Sequence, residues 1–519
     1  MKVNASKKKI FIIFACSVFA LFLIKVYLNS FLLAEDGDTY DFFRMAYYFR
    51  IFQYPSYAKR MPLLPLILAI SAPSNFILWG RVVSSLFYFG SIFVFYSLLG
   101  YYVKDKTLKS IFSLIFAFNI VVLNNSFFIN SDNIFLFLVL LFILIYKKYG
   151  LKIPILALIA ALAFYTRVEG ILLFLSLGII LFAKKRWEEV LRFSIFALVF
   201  LSPFLIRNLI LFHNPLFTHY AEDDVGFNVT LKNIYLGFAN YIYTVGGVWF
   251  LPSLALVFNK KDFKTRNIKK LEVLTFLLLS GLLILWSPVL RLYSVPVSFT
   301  LIYFAYLLDR QAKKLTFNTK FYVNIALLFL VSCAGYILCV QVFSQKDLGM
   351  FKIAKLVSLL FSIPVVVLLV LYLRNFYSKN VLLWSFAFFV VFINLFVFID
   401  RFRFTRYKYL SIVETVQAYN ENYKNTGNAG YVDESGVEMW YLQDFDEKYS
   451  LLKSHEINFV QWVFDANVKY LIITHEMGGS VDYRVKKFKE QIDKLDPLVE
   501  FKTPFFGGDT KLIDISTVY

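Results

Sequence analysis

Long apolar runs separated by short basic loops constrain the fold of this chain more than any other feature. A helix needs roughly 20 mostly apolar residues to cross a bilayer. Of the 519 residues, 59% are hydrophobic and only 17% are charged, against about a quarter charged in soluble proteins. The pattern predicts a polytopic α-helical membrane protein with about thirteen transmembrane helices. The predicted spans are 10–31, 75–102, 109–129, 131–147, 153–166, 169–183, 190–212, 240–258, 271–287, 289–308, 320–342, 353–373 and 381–400.

The basic residues of the loops predict how the helices are oriented. With the N-terminus in the cytoplasm, each loop that the count places inside carries lysine or arginine, as at Lys7–Lys9, Lys184–Arg186 and Arg374/Lys379. A shift by one span would break this alternation, which follows the positive-inside rule. The segment PLLPLILAISAP at 62–73 is too short to cross and is expected to form a partial or re-entrant helix.

The net charge of +19 does not indicate nucleic-acid binding. Residues 401–519 hold 15 basic against 18 acidic side chains, so the whole excess lies in the loops before residue 401. There it orients a membrane protein. The expected partners are membrane lipid and a molecule carried in the lipid, not nucleic acid.

The chain is expected to have two parts. Residues 1–400 form the transmembrane domain, with an acidic first outer loop at 32–74, and residues 401–519 form a small extracytoplasmic α/β domain. GYVDES and VKYLIITHE are predicted strands, and VEFKTPFFGGDTKLIDIS a hairpin with Gly507–Gly508 in its turn. Helices are predicted over TVQAYNENYK, HEINFVQWVFDAN and VDYRVKKFKEQIDKL, and none opens with a glycine-rich phosphate motif.

Four acidic residues follow the first span, namely Glu35, Asp36, Asp38 and Asp41. Carboxylates at the mouth of an apolar bundle suit a base in group transfer, a cation site or a proton relay. Asp38 has a simpler interpretation as the N-cap of an interfacial helix. These alternatives remain open on the residues alone.

Further polar side chains collect at the boundaries predicted to face outward. Each arginine alone is explained as an interfacial anchor, and Arg167 and Glu169 as a pair at a helix end. Several guanidinium groups on one face would instead suit a phosphate. Asp132 begins the fourth span as an N-cap or a site residue, and His213 begins a loop that offers metal ligands without defined geometry. The candidates are Arg81, Asp132, Arg167, Glu169, Arg207, His213, Arg291 and Tyr293.

In their order along the chain, these segments resemble the GT-C glycosyltransferases, in particular the protein O-mannosyltransferases and the bacterial transferases that add aminoarabinose to lipid A. PLLPLILA is similar to the short helix after the acidic loop of that family. One departure is Leu292, which separates Arg291 from Tyr293 where the family places tyrosine directly after arginine. The matching segments are Asp36/Asp38 with Tyr40, Arg167–Gly170, Pro203–Pro215 and Arg291–Pro296.

The resemblance implies an enzyme of the cell membrane that moves a hexosyl or pentosyl group from a polyprenyl-phosphate donor to an acceptor at the outer face, with inversion. It implies Asp38 or Asp36 as the base, no required cofactor, and room for a divalent cation at these two residues. A transporter or flippase, or a polymerase of lipid-linked glycans, is the alternative. The implied phosphate ligands are Arg207, Arg291, Arg167 and Arg81, and the implied pocket residues are Tyr40, Glu169, Asp132, Tyr293 and His213.

Overall fold

The computed structural model of the chain is mostly helical. It describes residues 2–30, 32, 34–35, 37–54, 60–213, 241, 244, 271–285, 290–311, 363, 367–368, 371, 379–405, 407, 409–432, 437–445, 448–450, 459–474, 495–502 and 509–516.

Two compact units divide the chain. The first unit contains Met1–Ile24, Met61–Leu64 and Gly80–Asp400. The second unit contains Lys25–Arg60, Pro65–Trp79 and Arg401–Tyr519.

Among the described residues, most helices that begin before residue 401 are apolar. The described helices are α1 Lys2–Asn29, α2 Gly37–Arg50, α3 Leu63–Leu68, α4 Phe76–Leu99, α5 Lys106–Ala117, α6 Ile120–Phe127, α7 Asp132–Tyr149, α8 Ile153–Thr166, α9 Ile171–Ala183, α10 Trp187–Phe212, α11 Leu271–Leu285, α12 Ser294–Gln311 and α13 Lys379–Thr405. Short 3-10 turns at Pro73–Asn75, Val168–Gly170 and Leu290–Tyr293 precede α4, α9 and α12.

Several of these helices can cross a membrane. Within the described residues, four pass by length and composition: Pro73–Leu99, Trp187–Ile210, Arg291–Asp309 and Val381–Ile399. The pair α5 and α6 raises the number to five if it crosses as one bent span. The predicted spans 240–258, 320–342 and 353–373 fall largely outside the described residues. The total of thirteen therefore stays a prediction.

One predicted span differs from the structure. The single helix expected over 109–129 is a pair of helices bent by 51° at Phe118 and Asn119. Asn119 causes the restart, because its side-chain oxygen accepts from the N–H groups of Val121 and Val122 as an N-cap. Asn394 of α13 accepts from the N–H of Ile120, at 3.1 Å. The predicted apolar span is thus interrupted by a polar junction, where asparagine side chains accept from the backbone N–H groups at the start of α6.

The second unit contains a four-stranded sheet in the order β1-β2-β4-β3. The strands are β1 Asn428–Val432, β2 Val468–Thr474, β3 Val499–Lys502 and β4 Asp509–Asp514. β1 runs parallel to β2, while β4 is antiparallel to both β2 and β3. The predicted hairpin corresponds to β3 and β4, and its Gly507–Gly508 turn lies outside the described residues, as does the helix predicted over 481–495 apart from its last residue.

Among the described residues after 405, three helices accompany the sheet: α14 Leu410–Asn422, α15 Val437–Leu442 and α16 Phe459–Asp465. The α14 helix is tied to β4 where the Thr510 hydroxyl donates to Ser411 Oγ at 2.9 Å. The α15 helix packs on α2 through aromatic rings. The Trp440 ring lies 4.7 Å from Phe43 and 6.1 Å from Phe76, between centroids. The α2 helix, which carries Asp38, is therefore held by residues of α15.

Candidate functional site: a buried carboxylate–guanidinium cluster

The junction between α8 and α9 presents the first group of candidate side chains. The α8 helix ends at Thr166, Arg167 is extended with φ −154° and ψ 142°, and Val168–Gly170 form one 3-10 turn. Gly170 allows this turn to pack against α8, because a Cβ there would lie 2.2 Å from the backbone nitrogen of Phe164. The break expected between the predicted spans 153–166 and 169–183 is present.

Arg167 joins two buried carboxylates. Its Nε and Nη2 donate to the two carboxylate oxygens of Glu169 at 3.2 and 3.0 Å, and its Nη1 donates to Asp132 Oδ1 at 2.8 Å. The side chains are 11% exposed for Arg167, 8% for Glu169 and 2% for Asp132. A charge so buried is tolerated only when it is paired and hydrogen-bonded. The predicted Arg167–Glu169 pair is present, and Asp132 extends it.

Arg291 completes what we call the Asp132 cluster: Asp132, Arg167, Glu169 and Arg291. Arg291 lies in the 3-10 turn Leu290–Tyr293 before α12. Its Nε is 3.8 Å from Asp132 Oδ2, and its side chain is 30% exposed. Arg291 is therefore the more accessible of the two arginines. A guanidinium at such a position can receive an oxyanion such as a phosphate.

Tyr293 follows Arg291 in the same turn and is buried. It packs with Leu292 and with the ring of Tyr241. The Tyr241 hydroxyl shares a 2.5 Å hydrogen bond with Thr300 Oγ1 of α12. In the structure Tyr293 thus contributes to the packing of the turn that carries Arg291.

The remaining candidates of the first unit lie on α4 and α10. Arg207 is half-buried in α10, where its Nη1 donates to Asn208 Oδ1 at 3.0 Å and its guanidinium carbon lies 5.9 Å from the Phe204 ring centroid. Arg81 is half-buried in α4. His213 is exposed and ends α10 with a left-handed φ of 54°.

The acidic loop belongs to the second unit, where Arg60 binds two of its carboxylates. Arg60 Nη2 lies 2.5 Å from Asp38 Oδ1 and 3.0 Å from Asp41 Oδ2. Asp38 lies in the first turn of α2, where the helix dipole favours a negative charge. Asp36 lies outside the described residues. In the described part of the chain, no three His, Cys, Asp or Glu side chains converge as metal ligands would.

Tyr40 is fully buried beside this loop. Its hydroxyl oxygen accepts from the N–H of Glu35 at 3.1 Å, and its ring lies 6.2 Å from that of Tyr441 and 6.4 Å from that of Trp440. Burial, reinforced by Tyr441 and Glu35, raises the pKa of Tyr40 well above its ordinary value of 10.0. The phenol therefore stays neutral, and its contacts link Glu35 of the loop to Trp440 and Tyr441.

Known structures share this fold. Two crystal structures of ArnT from Cupriavidus metallidurans superpose on the chain at 10% sequence identity. The ArnT structure bound to undecaprenyl phosphate has a TM-score of 0.57 and covers 96% of this chain and 98% of its own. The apo structure has a TM-score of 0.58, with 95% and 97% covered. The chain matches no protein-family model and no curated protein. It therefore shares the fold of ArnT over nearly its whole length.

Proposed function

We propose that the protein is an integral membrane glycosyltransferase that moves a sugar from a polyprenyl-phosphate donor to an acceptor. The observation that carries the proposal is the ArnT-like fold over 96% of the chain, found with ArnT bound to undecaprenyl phosphate. Because one fold can host several functions, the proposal also requires a suitable site. The first unit offers the Asp132 cluster as charged side chains suited to a phosphate, and the second unit separately offers the carboxylates of the acidic loop.

The chemistry proposed is a single displacement with inversion. The acceptor hydroxyl loses its proton to the carboxylate of Asp38 or Asp36, and its oxygen forms a bond to the anomeric carbon of the sugar. The bond from that carbon to the phosphate oxygen breaks at the same time, and the lipid phosphate leaves with the electron pair. Guanidinium groups stabilise the charge that develops on the phosphate.

The two arginines of the Asp132 cluster are suited to different tasks. Arg167 uses Nε, Nη1 and Nη2 on the carboxylates of Glu169 and Asp132, which suits a residue that fixes the cluster. Arg291 is more exposed and lies farther from its carboxylate, which suits contact with the donor phosphate. We assign Arg207 and Arg81 to the same phosphate-binding group, and Tyr40, Tyr293 and His213 to the substrate pocket.

Arg60 adds a requirement to the proposed base. Its Nη2 lies 2.5 Å from Asp38 Oδ1 and so occupies one side of the carboxylate. The acceptor hydroxyl then has to share the carboxylate with Arg60. We place this reaction at the outer face of the cell membrane, with about thirteen spans, the N-terminus in the cytoplasm and residues 401–519 outside. A divalent cation at Asp36 and Asp38 is compatible with the proposal and is not required by it.

The test measures sugar release from a panel of polyprenyl-phosphate sugars by the full-length protein in lipid nanodiscs. Asp38→Asn or Asp36→Asn should lower transfer on the order of 100-fold, since a positioned base contributes about that much or more. Asp41→Asn is the matched control, because Asp41 also pairs with Arg60 and is not the proposed base.

Two results would contradict the proposal. If neither substitution lowers transfer in folded protein, the base is not in this loop. If no donor in the panel is consumed but the protein moves lipid-linked sugar between leaflets of a vesicle, it is a flippase. Extension of a lipid-linked glycan would identify the acceptor as a growing chain, and the protein as a polymerase.

A further inference from the structure

We propose that Asn125 is a positioning residue for recognition of the donor phosphate. It holds the turn that carries Arg291 in a fixed position relative to the helix start that carries Asp132. The inference rests on the proposed function, because it concerns how that function's lipid phosphate is bound. Its basis is a set of hydrogen bonds made by asparagines of the segment NNSFFINSDN at 124–133.

Asn125 contacts the Arg291 turn directly. It lies in α6, is 2% exposed, and its Nδ2 donates to the backbone oxygen of Arg291 at 2.9 Å. A backbone carbonyl in buried, apolar surroundings needs such a donor. The main chain of Arg291 is thus fixed to α6, and the side chain starts from a defined point.

Asn125 also contacts the segment that leads into Asp132. Its backbone oxygen accepts from Asn133 Nδ2 at 2.8 Å and from Asn130 Nδ2 at 3.3 Å. Asn130 Oδ1 in turn accepts from the N–H of Asp132 at 3.1 Å. The side chain of Asn125 therefore fixes the backbone of Arg291. The backbone oxygen of Asn125 fixes the turn that precedes Asp132.

Ser84 of α4 anchors this segment. Its Oγ accepts from Asn133 Nδ2 at 2.9 Å and lies 3.1 Å from the backbone oxygens of both Ser126 and Phe128. The polar turn between α6 and α7 is thereby bound to a neighbouring helix. Because its polar groups bond to one another, a shift of one shifts the rest. The separation of Arg291 from Asp132 follows from this frame.

The amide of Asn125 is required for its donor, not only for its size. Leucine has a similar volume but leaves the Arg291 carbonyl without this donor, and a buried carbonyl in that state costs about 1–3 kcal/mol. The turn can escape the cost by moving toward another donor, which displaces Arg291. Asn125→Leu is therefore expected to change phosphate binding rather than stability alone.

The test compares binding of undecaprenyl phosphate with binding of undecaprenol by the full-length protein in nanodiscs. Asn125→Leu is expected to weaken undecaprenyl phosphate binding at least about tenfold, toward the level of Arg291→Ala, and to leave undecaprenol binding unchanged. Asn394→Leu is the matched control, since it removes an equally buried asparagine whose contacts are to Ile120 and Val390. It should keep phosphate binding within about twofold of wild type. Asn125→Gln, which keeps an amide donor, should restore part of the affinity.

The outcomes separate the inference from the proposed function. If wild type binds undecaprenyl phosphate no better than undecaprenol, the lipid-phosphate partner itself is wrong. If Arg291→Ala loses binding and Asn125→Leu does not, only the positioning role fails. Equal losses of binding and melting temperature for Asn125→Leu and Asn394→Leu would show a purely structural role. If Asn125→Leu does not fold, Asn125→Asp takes its place, because it replaces the donor by an acceptor of the same size. It is likewise expected to weaken undecaprenyl phosphate binding and to leave undecaprenol binding unchanged.

Discussion

Replacement of Gly170 by alanine tests whether the Asp132 cluster depends on close packing of its turn. A Cβ at Gly170 would lie 2.2 Å from Phe164 N, 2.4 Å from Ala163 C and 2.5 Å from Phe164 Cα. These are backbone atoms of α8, which cannot rotate away as a side chain can. Ordinary van der Waals contact begins at 3.4 Å, so the turn Val168–Gly170 would have to retreat by about 1.2 Å.

The retreat would act on both stability and chemistry. Overpacking of this kind costs about 1–3 kcal/mol. A retreat of about 1.2 Å would stretch the 2.8 Å bond between Arg167 and Asp132 beyond hydrogen-bond range. Loss of a buried, charge-assisted bond adds about 1.5–3 kcal/mol. We therefore expect a total of about 2.5–6 kcal/mol, and transfer lowered on the order of 100-fold, since a misplacement of about 1 Å can have that effect.

The assay follows the thermal unfolding of the purified protein and its sugar transfer side by side. Gly178→Ala is the matched control, because no described atom lies within 4 Å of its Cβ position in α9. It should leave transfer unchanged and, with alanine favoured in helices, slightly raise the melting temperature. If Gly170→Ala behaves like Gly178→Ala in both measurements, the steric argument is refuted.

Two further substitutions test the charged cluster and the aromatic contact of the tail. Asp132→Asn should cost about 3–5 kcal/mol of stability and abolish most transfer, because it removes a carboxylate from a buried pair. Glu188→Gln, which breaks an exposed pair with Arg192, should cost at most about 1 kcal/mol in the same unfolding measurement, and equal effects would contradict the role of burial. Trp440→Ala should destabilise the second unit by about 3–5 kcal/mol, since its ring packs on Phe43 and Phe76. Phe464→Ala removes a ring that is 64% exposed and should have little effect on unfolding, so a similar loss from both would count against the aromatic contact.

The sequence predicted those features that depend on neighbouring residues. The break at TRVEG was expected from Arg167 and Glu169 within an apolar run, and their pairing from a separation of two positions. Asp132 was expected only as a helix start or a site residue, because its contact with Arg167 spans 35 positions. Contacts of that kind follow from helix packing, which hydropathy does not encode.

Polar residues within apolar runs were the missed signal. Asn119 stands inside the predicted span 109–129, where it caps α6 and divides the helix. The asparagines of NNSFFINSDN bond to one another and to Arg291, which their composition indicates only in general terms. The double contact of Arg60 with Asp38 and Asp41 requires the fold of the loop at 32–74, which local sequence patterns do not predict.

The Asp132 cluster has a consequence for the order of substrate binding and product release. Its four side chains carry two positive and two negative charges, so they cancel one another. A donor phosphodiester brings one further negative charge, and the phosphate monoester left after transfer carries up to two near neutral pH. If the lipid phosphate binds at Arg291, the guanidinium that stabilises the leaving phosphate also holds the spent lipid more tightly than the loaded one. Charge alone therefore slows the exchange of used carrier for fresh donor, and the difference should shrink as acid protonates the monoester.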